Sequence, residues 1–347
     1  MLQQPDRGAA DHIFAVYGML LDMYFSMSLQ EIVHLKVADH LSEGPQSVEV
    51  LAKQVGVQAD MLALHMRTMC SKDIFVEIEE GVFAHTERSR YLQTDIPCSL
   101  VSVSELIRSD SQRAVWTPEA LAYSIRTGKS AFEHILGENL WSFLGTHPED
   151  LAIANGAVVT LSDSLNEVIA EVLDLTDRRS FVDVGGGDGS FLATLLSKYP
   201  ETTGALLEVP PMIENVKAQE FISELAGRYT YHSGDFLEGV PEGGDAYLLK
   251  EILTHWNDEA CLKILNNCRK AMAPAGRLYV IEYILQTPPA KFTPYLVTGL
   301  IHRQWFDEDY QRTVPQLQRL LEQAGFEVVS HTPTSTDDSI LTAQVRA

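Results

Sequence analysis

From Asp11 to about Leu41 the apolar positions recur at helical spacing yet cover more than one face, as Phe14, Tyr17, Met19, Leu21 and Tyr24 show. A helix apolar on several faces needs a cover, and the pattern predicts one supplied by a partner subunit. Ser47 opens a short helix over VEVLAKQVG, and Asp60 opens another over MLALHMRTMCSK. IFVEIEEGVFAHT then alternates like two strands joined at Glu80-Gly81. Helix, turn, helix, hairpin is the order of a winged helix. Residues 101–176 are mostly helical in pattern, and the character changes after Asp177-Arg178-Arg179. Short apolar runs (FVDVG, ALLEV, YTYH, AYLLK, RLYVIEY, FEVVSH and ILTAQV) now alternate with helical stretches. That alternation predicts an α/β, mostly parallel, doubly wound sheet. The expected organisation is 1–100 as a helical, winged-helix dimerisation domain, 101–176 as a helical linker, and 177–347 as the catalytic domain.

Composition narrows the function. The chain has 347 residues, 45% of them hydrophobic, enough for real cores, and a formal net charge of -22. A strongly negative chain is a poor partner for phosphate backbones. The second helix of the winged-helix region offers only Arg67 and Lys72 against Asp60, so nucleic-acid binding is not expected. The four cysteines, Cys70, Cys98, Cys261 and Cys268, have neither CxxC nor zinc spacing, which points to a reducing setting. MLQQPDRGAADH has no signal-like pattern, and no run of eighteen apolar residues occurs. The expectation is a cytoplasmic chain with no membrane partner.

The strongest chemical signal is FVDVGGGDGSFLATLL. A buried strand carrying Asp183 breaks into Gly185, Gly186 and Gly187, and Asp188-Gly189 lead into a helix, so backbone can approach a ligand closely. A lone glycine-rich turn also fits nicotinamide dinucleotides. Later strands argue otherwise. Glu208 closes ALLEV, where an acid can accept from both ribose hydroxyls, and Asp235-Phe236 follow YTYH, suited to an adenine amino group and ring face. The next strand ends at Lys250. An acid-rich turn without an arginine for a diphosphate suits a phosphate-free ligand carrying positive charge.

VDVGGGDG, Glu208, GDF and LLKEILTHWNDE, followed by NNCRKAMAPAGRLYVIEYIL, resemble the plant-type small-molecule O-methyltransferases and their bacterial relatives. The resemblance spans nearly the whole chain. It implies a class I methyltransferase Rossmann-like domain behind a dimerising winged-helix region, a homodimer, and S-adenosylmethionine as cofactor. It places Asp183, Gly185, Gly187, Glu208, Asp235, Phe236 and Lys250 at that cofactor, and Leu140, Trp141 and Phe143 of NLWSFLG on the acceptor wall with Tyr295 and Val297 to His302.

The family's usual base lies in a His-Asp-Trp pattern, held by two acids. Anchored on Trp256, the histidine position falls on Thr254, and His255 takes the aspartate's place. Neighbouring side chains point in different directions, so either the backbone slips to restore His255 or the base is absent. Glu282 keeps one acid's place, while Gln311, before Arg312-Thr313, replaces the other with a group that cannot ionise. His302 falls where the family usually has a methionine. Together His255, His302 and Glu282 form a set able to hold a divalent metal, as in relatives that C-methylate 2-oxo acids. The bland alternative has His302, beside Arg303, hydrogen-bonding in the cleft, and His255 packing beside Trp256 before the helix that Asn257 begins. Thr254, Arg303 and Gln311 line the expected acceptor pocket, Thr313 and Gln316 form a capping box, and Cys261 and Cys268 are structural. The expected activity is methyl transfer to a small specialised-metabolism acceptor. Three readings stay open: metal-assisted C-methylation, O-methylation by proximity without a base, and a cofactor-retaining relative that does not methylate.

Overall fold

The opening apolar helix runs Arg7–His34 and stops earlier than its periodicity predicts. Lys36 adopts a left-handed φ of 55°, and a separate turn of helix, Val37–His40, follows. Phe14, Met19 and Leu20 on the long helix are 71%, 70% and 70% exposed. By length and composition alone Ala10–His34 could cross a membrane. It holds no unbroken apolar run, because Asp11, Gly18 and Asp22 interrupt the stretch. These observations come from a computed structural model, which describes residues 7–217, 219, 225, 227–285, 294–307, 310–336 and 338–346.

Two units separate: Met1–Arg113 with Leu144–Thr160, and Ala114–Phe143 with Leu161–Ala347. In the first, Ser47 accepts the Val50 N–H and starts the Val48–Val55 helix, which Gly56 ends at φ 76°. The Ala59–Cys70 helix follows. Strands β1 (Gln46–Ser47), β2 (Phe75–Glu79) and β3 (Val82–His85) form a sheet of order β1-β3-β2, with Gly81 at φ 74° in the β2–β3 turn. Ile32, Leu51, Met66, Met69, Phe75 and Phe83 fill its core. Helix, helix and hairpin thus appear as the periodicity predicts.

The second unit is built on seven strands: β4 (Ser180–Val184), β5 (Thr203–Glu208), β6 (Tyr229–Ser233), β7 (Ala246–Lys250), β8 (Arg277–Tyr283), β9 (Phe326–Pro333) and β10 (Asp338–Val345). Their order is β6-β5-β4-β7-β8-β10-β9. The first five run parallel, and β10 is antiparallel to both β8 and β9. Strands buried on both faces should be continuously apolar, and β7 is: Tyr247 and Leu249 enter one core while Ala246 and Leu248 enter the other. The helix Asp258–Ala271, begun by Asn257 accepting the Ala260 N–H, lays Cys261, Ile264, Leu265 and Cys268 on the first core. Both cysteines are fully buried there, in the packing role expected of them. The Val314–Gln323 helix covers the same face, and its start is held by Gln316 Oε1, which accepts from both the N–H and the hydroxyl of Thr313. Burying each large aliphatic side chain contributes about 1.5–3 kcal/mol. The result is a stiff platform whose strand ends β4, β5 and β7 open onto one edge.

Candidate functional site

The cofactor side begins where β4 leaves its buried run at Val184. Gly185 has φ 71°, and a Cβ there would lie 2.8 Å from Ile252 Cδ1 and 3.1 Å from the Phe236 ring. Gly187, at φ 60°, has nothing within 4 Å of its would-be Cβ, so the loop presents bare backbone to open space. Glu208, at the end of β5, turns its carboxylate to this loop, accepting the Gly187 N–H at 3.3 Å and the Val209 N–H at 2.7 Å. Burial raises its pKa, against the two N–H donors. Asp235 follows β6 and accepts the Leu237 N–H at 2.8 Å. Phe236 meets Trp256 edge to face at 5.6 Å, and its carbonyl accepts from Asn267.

Asp183 lies beneath the loop, fully buried, and neither carboxylate oxygen has a hydrogen-bond partner among the described residues. Burial pushes it up to about 7, aided by the Glu208 and Asp188 charges and opposed by Lys250. Lys250 Nζ donates to Ser162 Oγ at 2.8 Å and lies 3.9 Å from Glu251 Oε1. Ser162 belongs to the Pro148–Val172 helix, which also brings Asn166 to Ser190 at 3.0 Å and to Asp163. Asn166 Oδ1 is buried without a partner among the described residues. Ser162, Asp163 and Asn166 escape the sequence reading. Their signal is a polar group at i, i+1 and i+4 in a helix that otherwise packs apolar residues such as Ile169 and Ala170.

On the acceptor side, a tight 3-10 turn, Leu253–His255, follows β7. Thr254 is buried at 4% exposure, its hydroxyl without a hydrogen-bond partner among the described residues, while His255 beside it is exposed. Glu282 accepts the Leu253 N–H at 2.7 Å through Oε1, while Oε2 is buried without a partner among the described residues. Burial pushes Glu282 up to about 8, the Glu251 charge adds, and the Leu253 and Thr254 N–H groups and Arg312 oppose. Thr254, Glu282, Tyr283, Tyr310, Arg312 and Leu317 line one crevice. Arg312 was only a counting mark in the sequence, yet it stitches this turn together. It donates to the carbonyls of Leu253 at 2.6 Å, Trp256 at 2.7 Å and Tyr310 at 3.2 Å, and to Asp258 at 2.8 Å. Gln311 packs against Gly299, whose would-be Cβ lies 2.7 Å from the amide.

His255 and His302 do come together, with ring centroids 5.8 Å apart. His302 lies 6.0 Å from Trp305 and 6.3 Å from Phe306, and Phe306 stacks on Trp141 at 5.7 Å. Phe143 meets Phe132 edge-on, and Leu140 is buried. Arg303 is spent on the Gly128 carbonyl. The side chain of Tyr295 lies outside the described residues.

The expected metal set finds no support in the grouping of side chains. Among the described residues no three His, Cys, Asp or Glu side chains group as metal ligands. Glu282 turns Oε1 to the Leu253 N–H inside the crevice.

A mostly parallel sheet with one antiparallel strand next to its edge, a bare glycine loop, a carboxylate on the next strand and an aromatic on the one after match the fold and site of the S-adenosylmethionine-dependent methyltransferases. Comparison with known proteins refines the class. Residues 119–327 match the O-methyltransferase domain, and residues 18–95 match the O-methyltransferase dimerisation domain. The chain is similar to a 3-amino-4-hydroxybenzoate 4-O-methyltransferase of Streptomyces cremeus, with 34% identity over 85% of this chain and 80% of the relative. Among solved structures it is similar to the calicheamicin-biosynthesis methyltransferase CalO1 in its SAH-bound form, with TM-score 0.87, 27% identity, and coverage of 99% of this chain and 100% of that one. An O-methyltransferase from neocarzinostatin biosynthesis, solved with S-adenosylmethionine and 2-hydroxy-5-methyl naphthoic acid, aligns at TM-score 0.68 and 27% identity, over 92% of this chain and 95% of that one. The chain belongs to the O-methyltransferase family and is an S-adenosylmethionine-dependent methyltransferase of small molecules.

Proposed function

We propose that the enzyme methylates a hydroxyl of a planar aromatic natural-product acceptor, with the His255–His302 pair receiving the proton in place of a base at position 254. The observation that carries this reading is the 5.8 Å approach of the two rings beside the Trp305, Phe306 and Trp141 wall. A flat aromatic face stacks on such a wall, and a histidine within reach of the hydroxyl does general-base work. The acceptors in the names of the two aromatic relatives support the class.

S-adenosylmethionine supplies an electrophilic methyl group when bound. Its cradle fits: Gly185 and Gly187 admit close approach, Glu208 suits ribose hydroxyls, Asp235 and Phe236 suit an adenine, and Asn166 Oδ1 awaits a donor. Asp183 and Lys250 balance charge below the loop. The exposed apolar helix Arg7–His34, overlapping the dimerisation match, is the surface on which a second copy packs.

Replacing either histidine with alanine is expected to lower kcat by about 10²–10⁴-fold while leaving S-adenosylmethionine affinity unchanged. Labelled methyl transfer to hydroxynaphthalenes and calorimetric cofactor binding read the two quantities. Unchanged kcat in both variants would instead favour methylation by proximity, a reading supported by the non-ionising Thr254 and Gln311 and by a Glu282 pushed up to about 8. Absence of label transfer to any acceptor would favour a relative doing other chemistry. Metal-assisted C-methylation draws no support from the donor geometry.

A further inference from the structure

Glu251 is one of four non-glycine residues at positive φ among the described residues, at 55°. A side chain in that region is strained, and such strain persists where surrounding structure imposes it, commonly at ligand sites. Here the imposing bonds are visible: the Glu251 N–H donates to Ile281 of β8 at 2.8 Å, and Lys250 ends β7 one residue earlier. The backbone is held, and the side chain goes where the turn sends it.

That place lies between the two halves of the site. On one side Lys250 approaches Glu251 Oε1 at 3.9 Å while bonded to Ser162, and Ile252 abuts Gly185. On the other side begins the Leu253–His255 turn, and the Glu251 charge is felt at Glu282. Glu251 Oε1 is buried and has no hydrogen-bond partner among the described residues. Thr254 Oγ1 and Glu282 Oε2, in residues 4% and 2% exposed, share that condition. Unmet polar groups at a ligand site are met by ligand groups, and an unmet Glu251 oxygen takes a donor.

Cations nearby are already engaged. Lys250 serves Ser162 and Glu251, Arg303 serves the Gly128 carbonyl, and Arg312 serves Leu253, Trp256 and Asp258. An acceptor carboxylate would meet the Glu251 anion with these cations committed elsewhere. We propose that Glu251 anchors the acceptor, accepting a hydrogen bond from an amino or second hydroxyl group on the aromatic ring, and that it excludes acceptors whose anchoring group is a carboxylate. This rests on the methyl-transfer reading, and it adds the substrate class.

The test measures binding, so it does not depend on turnover. Calorimetric titrations of 5-amino-1-naphthol and 1-hydroxy-2-naphthoate are run on the full-length protein saturated with S-adenosylhomocysteine. The wild type is expected to prefer the aminated probe by roughly tenfold or more, the scale of a hydrogen bond to a charged group. Glu251→Gln should cut that preference about tenfold, and Glu251→Arg should invert it. Glu251→Gly, which suits the left-handed backbone, should lose the preference without a fall in Tm. Affinity for S-adenosylhomocysteine should stay within about threefold in all three. An unaltered preference across the variants overturns the proposal. So does failure of the wild type to bind the aminated probe, or loss of probe and S-adenosylhomocysteine affinity in step. An intact binding order without any labelled methyl transfer would count against the methyl-transfer reading alone.

Discussion

Glu282 offers a quantitative test because its burial and its charge act in opposite directions on two competing roles. Burial raises its pKa from 4.5 to about 8, so the folded protein holds it neutral at pH 7 while the unfolded chain ionises it. A carboxyl raised on folding contributes stability that is fully present below the unfolded value, near 4.5, and lost as pH rises through the folded value, near 8. At about 1.4 kcal/mol per pKa unit, the loss reaches roughly 3 kcal/mol at pH 7 and approaches 5 kcal/mol above pH 8, as upper bounds. Glu282→Gln removes the titration but keeps an oxygen for the Leu253 N–H, bonded at 2.7 Å. The variant should match the wild type near pH 5 and become progressively more stable than it toward pH 8.5, by several degrees in Tm. Differential scanning calorimetry from pH 5 to 8.5 reads the trend. Under the proposed function kcat at pH 7 should change less than about tenfold, since the carboxyl is already neutral there. A stability difference that does not vary with pH would refute the linkage. A collapse of kcat in a well-folded Gln variant would show that Glu282 acts as an anion.

Two further outcomes follow from the same geometry. Gly185→Ala places a methyl 2.8 Å from Ile252 Cδ1 at φ 71°, so S-adenosylmethionine affinity by calorimetry should fall at least about tenfold while the first unit's stability is untouched. Met19→Asp with Leu20→Asp, at side chains 70% exposed in the single chain, should turn a dimer into a monomer in sedimentation experiments. Retention of the dimer would place the interface elsewhere.

Part of this protein is legible in its sequence, for identifiable reasons. The elements of the sheet and hairpin follow from local periodicity, and the glycine loop follows from a backbone requirement that only glycine meets. That Glu208, Asp235 and Lys250 end or follow strands is legible too, and strand ends are where ligands bind in such sheets. The departures at Thr254 and Gln311 are also visible one residue at a time. What one dimension conceals is convergence across long separations. Ser162 meets Lys250 from 88 residues away, and Arg312 reaches the Leu253 carbonyl across 59. His255 and His302 approach each other, while Glu282 turns one oxygen to the Leu253 N–H, and spacing along a chain does not say which way a buried carboxylate turns. Its commitment to the Leu253 N–H was decided by the fold, where a buried donor must find an acceptor. The strained backbone of Glu251 likewise exists only in three dimensions, imposed by the ladder of β8 on a residue whose own preference lies elsewhere. The sequence by itself determined the family and the main elements, since these rest on local patterns. Tertiary structure decided which polar groups meet and which are left without partners, because burial and orientation are properties of the packed chain.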